Sequence, residues 1–491
     1  MAKPKVIQVL DYKYDKKKSL IYGQPECALP ASFFEGRQIP NFHKESLDYQ
    51  QWWDEQINRC LYGWSDGGFT VTNTYYYHLN FKKINMLDPD NKIIIFHPYF
   101  SDEDQQLFKE IEEARRDGQG MIIGTGRGYG KSFGIASIVE HGFTFYEGHE
   151  AIISSSIEKY ANDFLFKVEM GLNSQPEEIR VGLLEDTKHR KVSGYKIKVN
   201  GQEKKMGLFS KISKIIYDSD PDKTRGTRPN EHIFEEGGSW SGAAALKDCY
   251  KKTEPSWWRG SVYTCLPILI GTGGSMDTGG SEDFKDMFTN PRAYNLKAYE
   301  WNGTEIGKFI PAYKKFGGFY ERTGYSDEVG AKAFLDARRE RKTNDVDLFR
   351  QETMEFPYTP EEMFQVAGTG WMPMAALEKR YADIERTPEL KNIVQRGDLK
   401  WKYSGSQMVG VEWVADKNGP FEICEHPIWN RKDWEGPHPK GLYVSGCDSF
   451  DAVEEQERSK SNRSPGVMYV YKRFWKPSET SQFFVARLRQ N

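Results

Sequence analysis

Apolar residues fall at helical spacing after Ser101-Asp102-Glu103-Asp104, where a serine and an acidic first turn precede Leu107, Phe108, Ile111 and Ala114. Asp117-Gly118 closes the run, so the pattern predicts a helix over about 101–117. The spacing then tightens to Met121-Ile122-Ile123, a short buried strand, followed by a glycine-rich turn and a helix from Ser132 to about Glu140. A second round places a strand over 151–156 and a helix from Ile157 to about Met170, and His232-Ile233-Phe234 and Pro267-Ile268-Leu269-Ile270 add two more core strands. Strands alternating with helices at this interval predict an α/β fold on a parallel sheet. Before residue 100, turn signals alternate with aromatic clusters, and 69–77 (Phe-Thr-Val-Thr-Asn-Thr-Tyr-Tyr-Tyr) reads as a strand. Helical periodicity returns over 328–354 and 374–386. From about 390 the pattern becomes short strands separated by Gly, Asn and Pro, with a boundary in the Trp- and Pro-rich segment 427–440.

Composition narrows this picture. A chain of 491 residues is too long for a single small module, and 38% apolar residues with 45 glycines lie in the ordinary globular range. Aromatics reach 14%, which points to an aromatic rather than aliphatic core. With 68 Lys and Arg against 71 Asp and Glu, the net charge of −3 excludes a chain-wide basic field, so any nucleic-acid contact must be local. The six cysteines form no CxxC pair, and no apolar run approaches the roughly 18 residues of a membrane span. Met1-Ala-Lys-Pro-Lys is not followed by an apolar signal core, so a soluble, non-secreted protein is expected.

The chemistry concentrates in Gly124-Thr125-Gly126-Arg127-Gly128-Tyr129-Gly130-Lys131-Ser132, between a strand and a helix. Backbone N–H groups and the helix N-terminus there can cradle a triphosphate, with Gly126, Gly128 and Gly130 allowing close approach. Lys131 reaches the β and γ oxygens and the Ser132 hydroxyl ligates Mg²⁺. The strict GxxxxGK[ST] pattern asks for glycine at 125, where this chain has threonine. Hydrolysis needs carboxylates as well, and Glu235-Glu236 at a strand end provide them: Glu235 for Mg²⁺, Glu236 as general base.

Several segments, in order from about 101 to the C-terminus, resemble the viral (tailed bacteriophage-type) large terminase subunit. The phosphate loop carries an early arginine, Arg127, and Gln105 or Gln106 matches the family's adenine-side glutamine. Ile153-Ser154-Ser155-Ser156 with Ala161 and Phe164, then Arg225-Gly226, then Leu269-Ile270-Gly271-Thr272-Gly273 resemble later elements, Thr272 standing in the coupling motif. The run from Glu355 to Phe364 is similar to the stretch that closes the terminase ATPase region. One departure is Glu235, where the family usually has aspartate.

The resemblance implies a RecA/ASCE-type P-loop ATPase followed by the beginning of an RNase H-like nuclease. The corresponding domains are an aromatic-rich N-terminal region over 1–100, the ATPase with its lid over 101–375, a linker with short strands over 376–436 and the nuclease from 437. It implies an ATP- and Mg²⁺-dependent motor that moves double-stranded DNA, with Arg127 steadying the γ-phosphate. Its partners would be the portal protein and a small terminase subunit, its state a five-membered ring on the procapsid or a monomer in solution. Its location would be the host cytoplasm and, transiently, the portal vertex, with no membrane. Segment 441–448 would be the first nuclease strand, ending in the metal ligand Asp448 with Asp451 nearby, for Mg²⁺ or Mn²⁺. Segments 466–473 and 482–488 would follow as strands. Because few residues come after them, a fragment or natural split with absent or crippled nuclease activity is expected. A helicase-like translocase, which would need a second RecA-like lobe, and a non-hydrolysing nucleotide-binding scaffold are the alternatives.

Overall fold

The computed structural model describes residues 28–87, 93–218, 220–240, 244–272, 280–321, 323–365, 393–426, 441–448, 466–473 and 483–490. The chain divides into two units, Met1–Thr369 and Gly370–Asn491, each treated by itself.

In the first unit, helix α1 (Leu47–Tyr62) starts at Ser46, whose side chain accepts from the Tyr49 N–H at 3.2 Å. Helix α2 (Asn73–Asn80) overturns the strand expected over 69–77, of which only Phe69–Val71 is extended. Thr72 caps this helix, its hydroxyl accepting from the Tyr75 N–H at 3.3 Å. Tyr75, Tyr76 and Tyr77 are all fully buried, pointing in three directions, which a helix enclosed on every side allows and a strand with one wet face does not. At about 1.5–3 kcal/mol per buried large side chain, that enclosure outweighs the strand propensity of the tyrosines. The partners are α1, α3 (Asp102–Arg116) and the helix after the phosphate loop. The described residues before 100 therefore share the core of the α/β layer.

The sheet is built from β1 (Met121–Thr125), β2 (Glu150–Ser155), β3 (Leu183–Asp186), β4 (Arg190–Ser193), β5 (Lys211–Ile216), β6 (Glu231–Phe234), β7 (Leu266–Thr272) and β8 (Lys308–Ile310). Its order is β8-β1-β7-β6-β2-β5-β4-β3, parallel from β8 to β5 and antiparallel at the β4 and β3 edge. Met121, Ile122 and Ile123 are wholly buried, as expected of strands covered on both faces. Helix α4 (Lys131–Phe145) follows β1, and α5 (Glu158–Ser174) follows β2. Helices α6 (Leu246–Thr253) and α7 (Gly280–Thr289) flank β7 in the chain. The helical run expected over 328–354 is two helices, α8 (Glu328–Glu340) and α9 (Val346–Glu355). Asp345 separates them by accepting from the N–H groups of Asp347 and Leu348. The helix expected over 374–386 and the boundary at 427–440 lie outside the described residues.

α4 is also where the N-terminal region is fastened. Lys82 and Glu140 form an ion pair with both side chains fully buried, Tyr77 donates to Glu140 at 3.1 Å, and His78 Nδ1 lies 2.7 Å from Ser137 Oγ. Burial pushes the Glu140 carboxyl up to about 7 even with Lys82 beside it.

The second unit contains one antiparallel sheet of β9 (Gln395–Ser404), β10 (Gln407–Ala415), β11 (Phe421–Ile423), β12 (Tyr443–Asp448), β13 (Gly466–Lys472) and β14 (Phe483–Gln490), ordered β10-β9-β11-β14-β13-β12. This corrects the linker expected over 376–436, because β9, β10 and β11 join the same sheet as the three later strands. Phe421 pairs with Leu488 and Ile423 with Ala486, a register that the glycine- and asparagine-rich turns concealed. The three later strands occur where the sequence placed them. The described residues of this unit show no second parallel sheet of the kind a helicase lobe requires. No helix among the described residues is long and apolar enough to cross a membrane.

Candidate active site

The register fixes the site. Leu269 pairs with Ile122 and with Phe234, so β1, β7 and β6 end in one row along the carboxyl edge of the sheet. The phosphate loop leaves β1, Thr272 ends β7, and Glu235-Glu236 leave β6. One strand, β7, separates the phosphate-loop strand from the carboxylate strand, which is the ASCE arrangement that the resemblance implies.

The loop's glycines answer to geometry. Gly128 and Gly130 have φ of +86° and +85°, a region strained for other residues, and a Cβ on Gly126 would stand 2.7 Å from Ala312 Cβ. Gly130 is the N-cap of α4, so the helix N-terminus opens onto the loop. Lys131 is 7% exposed, and its Nζ lies 4.0 Å from Glu236 Oε1. Ser132 Oγ donates to Glu235 Oε1 at 3.0 Å, and Thr272 Oγ1 donates to Glu236 Oε2 at 3.2 Å. Lys131, Ser132, Glu235, Glu236 and Thr272 thus form one cluster, although 140 residues separate its first and last members.

Adjacent glutamates serve different neighbours because the backbone turns sharply between them. Glu236 has φ +48°, a left-handed conformation rare for a side-chain-bearing residue. It is held there by Ser239, whose N–H and hydroxyl both donate to the Glu236 carbonyl, at 2.8 and 2.7 Å. Beneath it, Trp240 Nε1 donates to the Glu235 carbonyl at 3.0 Å. Burial, and then the Glu236 charge, push the Glu235 carboxyl up to about 7. Glu235 Oε2 is buried and accepts no hydrogen bond. An orphaned carboxylate oxygen beside a serine hydroxyl, both facing the phosphate loop, fits a hard divalent cation such as Mg²⁺.

Other expected residues are placed differently. Arg127 makes a two-pronged pair with the Glu355 carboxylate, and its N–H donates to the Glu355 carbonyl at 2.8 Å. The arginine is thus held by the end of α9, at the start of the 355–364 segment. Gln105 donates to the Thr70 carbonyl at 3.1 Å and Gln106 to Glu110 at 2.7 Å. Neither lines the cavity of about 260 Å³ beside the phosphate loop, which is bounded by Asn85, Phe100, Asp104, Tyr129, Phe133 and Lys315 among others. Helical geometry accounts for this placement. Asp104 and Phe108 share the inward face of α3 at i, i+4 spacing, whereas Gln106 is exposed. Lys315 pairs with Asp104 and sits 4.6 Å over the Tyr129 ring, a contact across 211 positions that no local pattern could disclose. Asp448 ends β12, and Asp451 lies outside the described residues.

No protein-family model and no curated protein matches the sequence. Among solved structures, the ATPase domain of the Thermus phage P74-26 large terminase is 15% identical, covering 54% of this chain and 95% of that one with a TM-score of 0.34. The HK97 bacteriophage large terminase is 13% identical, with coverage of 58% and 54% and a TM-score of 0.37. A large terminase from a thermophilic bacteriophage, in complex with ADP, is 10% identical, with coverage of 62% of each chain and a TM-score of 0.31. All three neighbours are phage large terminases. The chain spans about half the length of the HK97 protein.

Proposed function

We propose that this protein is a bacteriophage large terminase subunit, an ATP-driven motor that moves double-stranded DNA into a procapsid. The observation that carries the ATPase part is the convergence of Lys131, Ser132, Glu235, Glu236 and Thr272 on the ends of three adjacent parallel strands. The order of the terminase-like segments along the sequence carries the rest.

The residues divide the work. Loop N–H groups and Lys131 hold the triphosphate where the α4 N-terminus favours negative charge. Ser132 and Glu235 would hold Mg²⁺, which when bound neutralises charge on the phosphate oxygens. Glu236 orients a water and takes its proton as the oxygen attacks the γ-phosphorus in line, the bond to the β,γ-bridging oxygen breaking so that ADP leaves with that electron pair. Thr272, bonded to Glu236, registers the loss of the γ-phosphate through the hydrogen bond it keeps or gives up. The cavity beside Tyr129 receives the base, flanked by Phe100 and Phe133.

In this reading the motor works as a five-membered ring at the portal vertex in the host cytoplasm, with the portal protein and a small terminase subunit as partners. The hairpin strands β12 and β13 with β14, and Asp448 at the end of β12, support an RNase H-like element using Mg²⁺ or Mn²⁺. The test is phosphate release, followed by packaging with portal-bearing procapsids and double-stranded DNA. Turnover by the wild type and its loss in Lys131→Ala and Glu236→Gln is expected. ATP-dependent DNA uptake should fail in the same variants, and a wild type that binds ATP without turnover would leave only the scaffold reading.

A further inference from the structure

We infer that the cleft between the Arg225 loop and α6 is a docking surface for the phosphate backbone of double-stranded DNA, independent of base sequence. The inference deepens the motor reading and rests on it for the identity of the polyanion.

The cleft measures about 630 Å³ and is open to solvent. Arg225, Arg228, Lys251 and Lys252 line it against a single carboxylate, Asp222, in a chain whose total charge is −3. All four cations are exposed. Asp222 engages Lys252 at 3.1 Å and Arg225 at 3.5 Å, whereas Arg228 and Lys251 have no ion-pair partner among the described residues. Elsewhere Arg292 is matched by Glu305, whereas here four exposed cations face one carboxylate across a single concavity. An unmatched excess of positive charge along a concavity is the footprint of a polyanion.

The base of the cleft is rigid. Tyr217, Thr224 and Thr253 join their hydroxyls in a buried triad that ties the loop to α6, with Tyr217 Oη 3.0 Å from Thr253 Oγ1. The cations are therefore displayed on a fixed frame, which lowers the ordering cost of binding. Tyr217 also packs on Trp240 with ring centroids 5.2 Å apart, and Trp240 donates to the Glu235 carbonyl. The cleft thus stands one packing layer from the carboxylates of the hydrolytic site.

Duplex backbone fits better than single strands. Single-strand sites present successive aromatic platforms for bases, and this cleft has one exposed aromatic, Trp258, whose Nε1 is already bonded to Glu254. Phosphate contact alone predicts sequence-independent binding that weakens steeply with salt.

The experiment measures binding of the full chain to two 30-base-pair duplexes of unrelated sequence and to a 30-nucleotide single strand, across salt concentrations, alongside ATPase activity without DNA. We expect equal affinity for the two duplexes and a weaker one for the single strand. Arg228→Gln/Lys251→Gln should weaken duplex binding about tenfold and lower the slope of log K against log salt by about two. Unchanged melting temperature and basal ATPase would show that fold and catalysis are intact. Reversal of the exposed lysines on the 195–206 hairpin (Lys198→Glu/Lys204→Glu/Lys205→Glu) should have a smaller effect. The inference is overturned by any of these: no wild-type duplex binding at low salt, full binding by the cleft variant, a single-strand or sequence preference, or greater loss in the hairpin variant. DNA binding without ATP turnover would instead retain the cleft and defeat the motor reading.

Discussion

Thr272 Oγ1 donates to Glu236 Oε2 at 3.2 Å, joining the end of β7 to the end of β6 at the point where the phosphate loop emerges. In the proposed motor this bond orients the carboxylate that would accept a proton from water, so each partner has a distinct expected phenotype. Glu236→Gln should retain ATP binding and lose about 10²–10⁴-fold in phosphate release, the usual contribution of a positioned base. Thr272→Val should lose about tenfold, with KM for ATP little changed. Single-turnover hydrolysis checks both, and a Glu236→Gln enzyme at wild-type rate would remove this residue from the role of base.

Glu235 gives a pH signature. Its carboxyl, ordinarily near 4.5, is pushed up to about 7 by burial and the neighbouring Glu236. The fold therefore prefers the protonated form. The group's contribution to stability is full below about 4.5 and is lost as pH rises through about 7. A divalent cation requires the ionised form, so Mg²⁺-dependent ATP binding should strengthen across the same interval with release of about one proton. Glu235→Gln should flatten that profile and raise the apo protein's melting temperature at pH 8. Titration calorimetry in two buffers of different ionisation enthalpy reads the proton directly; pH-independent binding in the wild type would count against Glu235 as the cation's ligand.

What the sequence disclosed and what it withheld follow from the range of the interactions. The strands and helices from 101 to 174 were legible because buried parallel strands and amphipathic helices write their period locally, and Lys131 and Ser132 were legible because the loop's strained φ values demand glycine. The helix over 73–80 was missed because burial on all sides erases periodicity, and three tyrosines then resemble a strand. Gln105 and Gln106 follow Asp104 by one and two positions, which on a helix is a different face, and only the fold shows that Asp104 and not the glutamines lines the cavity. The Arg127–Glu355 pair spans 228 positions and depends on how the closing segment returns to the loop.

That pair sets up a competition. Arg127 is two-thirds exposed and held by Glu355, so it can meet a γ-phosphate only by exchanging one anion for another. Removing the competitor should favour the phosphate: Glu355→Gln is expected to lower KM for ATP about threefold to tenfold. Arg127→Ala should instead lower kcat by about tenfold or more, the cost of losing charge stabilisation in the transition state. Steady-state kinetics on both variants decide the matter, and a raised KM in Glu355→Gln would mean that the pair builds the loop rather than restrains the arginine.

Lys82 and Glu140 supply the last prediction, one of stability. The pair is wholly buried, and it fastens the N-terminal region to the helix that carries Lys131 and Ser132. Taking away one partner leaves an uncompensated charge or forces Glu140 to hold its proton, so Lys82→Met should destabilise the first unit by about 3–5 kcal/mol near pH 8. Burial raises the Glu140 carboxyl even with Lys82 beside it, and removing the lysine raises it further, so the unpaired carboxyl is more fully neutral at lower pH and the loss should be smaller at pH 6 than at pH 8. The double variant Lys82→Met/Glu140→Leu should recover most of the stability, since two well-packed apolar side chains replace a desolvated pair. Denaturant melts at pH 6 and pH 8 measure each term. A Lys82→Met loss that is equal at both pH values would mean that packing, not charge, holds the N-terminal region to α4.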